Sequence, residues 1–482
     1  MLNAGYQGLP ISEIVPDALP AMRDGLSKSS LLVSRRKVRF QPQTGTTAAP
    51  GSIVQFVLAD SSSLLDVNSA TISFTLTMTA GTNSAAAPCA MDDGLSWCRR
   101  LQVALNGNLV SDVDNVHRYS NMEVYGSADQ PWYQTAGSFA GFWKFNPDLA
   151  LGAVPTDGDA SAAAAYNPFY GDIEGDAATN GSPHYSAGVR QAAGENRVIP
   201  LSLMDGFWRT KQYVPLNLLG EMVVSLTLAS NAEGIFQITN TNGTYALTDI
   251  FMECDLVQPH YLLQELMTKQ ANNDGENGIV IPYESAIVSQ GQSITSGTNS
   301  VIISRATNNL RRLLYAQQLT AGTSSQAFPS VSCFGYNATT SWQVRCGSLY
   351  FPSQPATTLA RCAGLLQSTY GEAVNEKPGI YNIMTYGMTT AANGQPTASF
   401  GAANAYPKFA WTDNFIVGYN FDSYKNTGGT NVLDADGLSV LGQAGSQVVV
   451  QITQTGSVTP VIALMATRYL SLMNGQLKII GV

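Results

Sequence analysis

Short runs in which apolar and polar residues alternate one by one recur along the whole chain. They constrain the fold more than any other feature. Ile72, Phe74, Leu76 and Met78 alternate with Ser73, Thr75 and Thr77. Leu101, Val103 and Leu105 alternate with Gln102 and Ala104, and Met222, Val224, Leu226 and Leu228 with Val223, Ser225 and Thr227. Val448, Val450 and Ile452 repeat the pattern near the other end. A period of two puts every second side chain on one face of an extended strand, so each run reads as a strand buried on one face. The runs are short, rich in β-branched or aromatic residues, and bounded by Gly, Pro, Asn or Ser. That is the pattern of antiparallel sandwiches. Two Asn-Gly pairs, Asn106-Gly107 and Asn474-Gly475, separate such runs. Asn-Gly readily takes the left-handed conformations of a type I′ turn, so both predict hairpins.

Helical spacing is rare. A helix is expected to open at Pro259, with Leu262, Leu263, Leu266 and Met267 on one face, and a second at Pro355, with Leu359, Cys362, Ala363 and Leu366. Proline costs nothing in the first helical turn, and both apolar stripes read as core contacts.

The chain has 482 residues, more than the roughly 250–300 at which single cores stop growing, so two domains are expected. The polar stretch 271–278, close to the midpoint, is the expected linker. It separates a first domain over 35–270 from a second over 279–482, with 1–34 as an N-terminal arm. Residues 125–196, rich in Ala, Gly and Asp, interrupt the first domain as a long loop insertion. Its acidic residues Asp157, Asp159, Asp172, Glu174 and Asp176 lack calcium-loop spacing and read as solvated. The stretches Leu219–Thr227 and Ala444–Thr453 echo each other, each a Gly followed by an alternating strand ending in Thr.

Charged residues are only 12% of the chain, about half the usual share of roughly 25%, while 44% are hydrophobic. A neutral polar surface suits a molecule packed against copies of itself, since a charge buried at a contact must be desolvated or paired. The formal charge of -9 speaks against specific nucleic-acid binding, which needs many cations. The one basic cluster, Arg35, Arg36, Lys37 and Arg39, reads as the solvated face of a first strand whose other face carries Val38 and Phe40. The alternative is an inward patch that tolerates a genome.

Catalytic signatures are lacking. His117, His184 and His260 have no partner at metal-ligand spacing. There is no His-Glu-x-x-His, Gly-x-Ser-x-Gly, phosphate loop or dinucleotide turn. Leu433–Gly437 resembles the start of a calcium loop but lacks its later ligands, and reads as an Asp-Gly turn. No catalytic, cofactor-binding or metal-binding residue is assigned, and no cofactor is expected. The six cysteines form no Cys-x-x-Cys pair and read as buried free thiols. No stretch of about 18 apolar residues is present to span a membrane, and the first 30 residues hold no apolar run of signal-peptide length.

Several stretches in order resemble the double jelly-roll major capsid proteins of tailless icosahedral double-stranded DNA viruses. The resemblance is nearest to those of polinton-like viruses and virophages, with algal large DNA viruses and adenovirus-type hexons more distant. Ile53–Asp66 followed by Ala70–Met78 resembles the early strand, Leu-Asp turn and second strand of that family. Pro88–Leu95 running into Leu101–Val110 and His117–Tyr125 is similar to its Pro-containing turn, hairpin and tyrosine-bearing stretch. Ile199–Leu201 through Tyr213–Leu216 to Val223–Leu228 resembles the end of a first jelly-roll. Leu349–Ser353, Phe415–Tyr419 and Asp436–Ser439 fit the second. The resemblance spans about residues 35–482. It implies an all-β fold of two tandem eight-stranded antiparallel jelly-roll sandwiches with long loop insertions and a few short helices. It also implies a non-enzymatic shell protein of the virion, made in the host cytoplasm or nucleus. Such a protein assembles as a homotrimer against neighbouring capsomers, with penton and minor or cement proteins as further partners. The competing readings are a β-sandwich surface adhesin or glycan-binding protein, and a glycan-active enzyme.

Overall fold

The computed structural model describes residues 32–79, 89–90, 94–128, 132, 136–142, 195–210, 212–236, 243–272, 279–303, 309–319, 331, 334, 339–370, 415–421, 438–439, 447–473 and 476–480. The alternating runs become strands as their periodicity requires. β3 (Leu64–Thr79) buries Ile72, Phe74, Leu76 and Met78 on one face, and β8 (Glu221–Leu228) buries Met222, Val224, Leu226 and Leu228. With β1 (Leu32–Phe40), β2 (Ile53–Ala59), β5 (Cys98–Leu105), β6 (Asn108–Asp114), β7 (Glu195–Pro200) and β10 (Thr244–Pro259) they build two antiparallel sheets. Their orders are β1-β10-β3-β7 and β2-β8-β5-β6. A small two-stranded pairing of β4 (Cys89–Ala90) with β9 (Ile235–Phe236) stands apart.

The second half repeats the winding. It comprises β11 (Ile279–Gln290), β12 (Gly297–Ile303), β13 (Leu310–Leu319), β14 (Ser341–Cys346), β15 (Leu349–Ala356), β16 (Ile416–Asn420), β17 (Val448–Gln454) and β18 (Val458–Met473). These form the sheets β11-β18-β13-β16 and β12-β17-β14-β15. Leaving out β4 and β9, each half reads 1-8-3-6 in one sheet and 2-7-4-5 in the other. Only the fourth and fifth strands of each half form a hairpin within one sheet; every other consecutive pair crosses between sheets. Both halves are therefore jelly-rolls. The two echoing stretches fall on β8 and β17, the seventh strand of each half.

Asn106 (φ 46°) and Gly107 (φ 76°) make the tight turn joining β5 to β6, with Leu105 opposite Asn108. The equivalent turn joins β14 to β15 through Gly347 (φ 61°) and Ser348. β19 (Gln476–Ile480) pairs with the end of β18 as a ninth strand, Met473 facing Gln476. The turn residues Asn474 and Gly475 lie outside the described residues.

Both expected helices start later than their prolines. Pro259 ends β10, opposite Leu32, and the helix spans Tyr261–Ala271, with Leu263 and Met267 buried. Pro355 belongs to the edge strand β15, where a missing N–H is tolerated. The helix after it spans Leu359–Tyr370. Thr358 starts it: its hydroxyl accepts the Arg361 N–H at 3.2 Å and its carbonyl that of Cys362 at 3.0 Å. β1 begins at Leu32, inside the expected arm. Residues 1–31, most of the 125–196 insertion, residues 273–278 of the expected linker, and the 433–437 turn lie outside the described residues.

Leu226 lies at the centre of its sheet with 1% exposure. Leu226→Ala is expected to lower the unfolding free energy by about 2–5 kcal/mol. Gln55→Ala, on the outer face of the neighbouring strand, should change it by less than about 0.5 kcal/mol. Urea denaturation followed by tryptophan fluorescence measures both.

Candidate functional site: the seam between the sandwiches

The chain leaves β6 into a helix over Val116–Ser127, labelled α1 here. Asn115, in the left-handed conformation (φ 54°), turns the backbone so that its carbonyl accepts the N–H groups of Arg118 and Tyr119. Residues 116–124 are all buried, polar and apolar alike. A helix buried all round needs a body on each side, and α1 is wedged between the two sandwiches. Arg118, with 1% side-chain exposure, donates from Nε to Gln318 of β13 (3.0 Å), from Nη1 to Asn115 (2.8 Å), and from both terminal nitrogens to Glu233 (3.1 Å). His117 Nε2 faces Arg118 Nη1 at 3.2 Å. Burial and the adjacent Arg118 charge push the imidazole below its usual value, so the neutral ring accepts that bond. Asn121 donates to the Val331 carbonyl at 2.8 Å.

One turn further on, two ion pairs oppose each other across the seam. Arg209 donates to Glu123 at 3.2 Å within the first sandwich, and Arg312 to Glu284 at 2.6 Å within the second. Arg312 also reaches Glu123 at 3.5 Å, and Arg311 approaches Glu284 at 3.9 Å. Burial alone would raise the Glu284 carboxyl, but the charges of Arg312, Arg209 and Arg311 outweigh it and hold the group below the usual range. The helix Leu359–Tyr370, labelled α3 here (α2 being Tyr261–Ala271), closes this end. The Tyr370 hydroxyl donates to the Met122 carbonyl at 3.1 Å.

A third contact runs along β11. The turn Gly206–Arg209 lies against it so closely that a Cβ on Gly206 would stand 2.5 Å from the Glu284 carbonyl oxygen. Tyr283 donates to the Val110 carbonyl (2.9 Å), Thr210 to the Pro282 carbonyl (3.1 Å), and Phe207 meets Tyr283 edge-on at 5.4 Å. Asp205 accepts the Ser111 hydroxyl and the Ala286 N–H. Burial pushes its carboxyl up to about 6 despite these donors.

The features noted in the sequence lie elsewhere or are absorbed structurally. Arg35 pairs with Asp66 and Asp255, Arg36 with Asp60, and Arg39 covers the Phe251 ring at 3.5 Å. Two members of the basic cluster, Arg35 and Arg36, are thus paired with carboxylates, while Lys37 is exposed on the same strand. His117 is part of the seam, His260 lies tilted against the Tyr261 ring, and His184 lies outside the described residues. Cys98, Cys254, Cys346 and Cys362 are free and buried. Among the described residues, no group of three or more His, Cys, Asp or Glu could hold a metal ion, and no helix is long and apolar enough to cross a membrane. An open cleft of about 560 Å³ at the seam is lined by Arg99, Arg100, Asp112 and Asp114 with Ile287 and Val288 opposite. Its arginines are matched, Arg100 in two-pronged fashion to Asp112 at 2.7 Å. Sequence reasoning missed the seam altogether, because a helix buried on every side shows no apolar stripe.

Two eight-stranded sandwiches of identical winding, fused through a buried seam, define the chain as a double jelly-roll. Solved viral capsid structures share this architecture. The Sputnik virophage structure matches with a TM-score of 0.52 at 13% identity, over 94% of this chain and 89% of that one. The Faustovirus major capsid protein matches with a TM-score of 0.53 at 8% identity, over 92% of each chain. The PBCV-1 virus capsid matches with a TM-score of 0.50 at 9% identity, over 94% of this chain and 98% of that one. At such low identity the likeness is one of fold. No family model matches the sequence, and no curated protein matches it.

A carboxyl held down in the fold stabilises it above its unfolded value, about 4.3 for Glu, and loses that contribution as pH falls through the folded value. Glu284→Gln leaves the buried Arg312 with only its longer contact to Glu123 and is expected to cost about 3 kcal/mol at pH 7. The gap from the parent should close below about pH 4. Asp205 has the opposite sign: its raised carboxyl costs stability when ionised, and that cost is relieved as pH falls through about 6. Asp205→Asn should therefore flatten the gain in stability between pH 7 and 5. Denaturation midpoints measured across pH check both. Gly206→Ala pushes the turn off β11 and is expected to cost about 1–3 kcal/mol by the same measurement.

Proposed function

We propose that this chain is a major capsid protein that self-assembles into the icosahedral shell of a double-stranded DNA virus. The observation that carries the reading is the full-length double jelly-roll: two sandwiches of one winding in one chain, aligned over nine-tenths of capsid chains from three viruses. Its role is structural and not enzymatic, and its place is the virion. The capsomer is a homotrimer. Three chains bring six sandwiches, a pseudo-hexagonal block that can tile a flat face against neighbouring capsomers, with penton and minor proteins completing the shell. A seam rich in buried ion pairs supports this, because it keeps the two sandwiches at a fixed angle. Fixed spacing within each chain removes the association cost of half the contacts in such a block. Low surface charge supports it too, since contacts between copies then strand few charges.

Multi-angle light scattering and negative-stain microscopy of the purified protein test the proposal. The expected result is a mass of three chains, six-sided blocks in projection, and closed particles at higher concentration. A protein that stays monomeric at every concentration overturns it.

A further inference from the structure

The four strands β12, β17, β14 and β15 contain a single charged residue, Arg345. On β14, Trp342, Val344 and Cys346 are buried inward, so Gln343 and Arg345 stand on the outer face of the sheet. The register arranges that face in rows. Arg345 lies opposite Tyr350 in the β14–β15 hairpin, and Val449 and Ile302 continue the row across the sheet. Gln343, Gln451 and Ser300 form the next row.

Arg345 is half-buried, and among the described residues its guanidinium makes no hydrogen bond, ion pair or ring contact. The matching sheet of the first sandwich, β2-β8-β5-β6, treats its arginine differently: Asp112 holds Arg100 in two-pronged fashion at 2.7 Å. The two hairpins also differ at one equivalent pair. Ala104 lies opposite Leu109 in the first sandwich, and Arg345 opposite Tyr350 in the second. The second sandwich thus carries a guanidinium where the first has a methyl group, and its four strands bring no carboxylate to meet it. Partial burial of an unmatched guanidinium is costly, and its planar fork of donors is matched best by a carboxylate.

We infer that this face binds an acidic saccharide, with a uronate carboxylate on Arg345 and a sugar ring against Tyr350. Tyr350 is 44% exposed, and direct cross-strand neighbours have Cβ atoms only about 5 Å apart, so one sugar unit spans both side chains. The aromatic ring offers an apolar face with a polar tip. Gln451 and Ser300 have no side-chain partner among the described residues, which leaves an amide and a hydroxyl for the sugar hydroxyls. Other anionic partners fit this face less well. A nucleic acid needs many cations, and an anionic membrane a cluster of about four to eight. A protein partner needs an apolar centre, whereas the exposed Ile302 and Tyr350 stand on opposite edge strands of the sheet. The site needs one folded chain only and stands apart from the shell reading.

Isothermal titration calorimetry of the purified protein tests the inference. The probes are a galacturonate tetrasaccharide, the neutral galactose tetrasaccharide and a glutamate tetrapeptide. The galacturonate is expected to bind, more weakly as salt rises, and the other two to bind at least about tenfold more weakly. Arg345→Gln removes a charge-assisted bond and should weaken galacturonate binding by about tenfold or more. Tyr350→Ala should weaken it severalfold, and Gln55→Ala, on the outer face of the first sandwich, should leave it unchanged. Thermal melting establishes that each variant folds. Failure of the galacturonate to bind the parent overturns the inference, as does binding that survives Arg345→Gln unchanged. Equal binding of the glutamate peptide overturns the saccharide and marks the face as a seat for an acidic protein segment.

Discussion

Buried charge at the join between the sandwiches is the constraint on which the rest of the molecule depends. Glu123, Arg209, Glu284 and Arg312 are drawn from four separate segments, two in each half of the chain. Isolated charges of this kind would be expelled to water or neutralised. They persist because each is held by an opposite charge and because the cross-contacts form only when both sandwiches are in place. An apolar contact tolerates sliding; a guanidinium fixed by two carboxylates does not. Specificity of angle, more than raw stability, is what such a group supplies.

Around that constraint the fold is conservative. The apolar residues of both sandwiches form one continuous buried cluster, so the two cores meet through the seam. The aromatic contact of Phe207 with Tyr283 and the close approach at Gly206 bring backbones near enough for the polar bonds to reach. Asp205, with donors from both halves, marks the point where the first sandwich grips the edge strand of the second.

Much of this architecture is legible in the sequence, and the illegible parts have physical causes. Strands with one wet face announce themselves by alternation, as β3, β5 and β8 do. β18, buried on both faces, shows a nearly unbroken apolar run whose period cannot be read. The Asn106-Gly107 turn is recognisable because its chemistry is local. The Gly347-Ser348 turn carries only a weaker form of the same signal. Prolines misplace both helix starts, since the ring is equally at home at a strand's end or edge, and the capping hydroxyl of Thr358 is the better marker. The seam is invisible because its members lie far apart in the chain. Arg118 and Glu233 read as ordinary surface charges until the fold brings them together.

The four thiols of the described core carry a consequence of their own. Burial pushes Cys346 and Cys362 up to about 11 and Cys254 up to about 12. Cys98, wholly enclosed, goes higher still. The reactive form of a thiol is the thiolate, so these four sulfurs are chemically silent while the sandwiches stay closed. Alkylation at these positions would register only the moments when a sandwich opens.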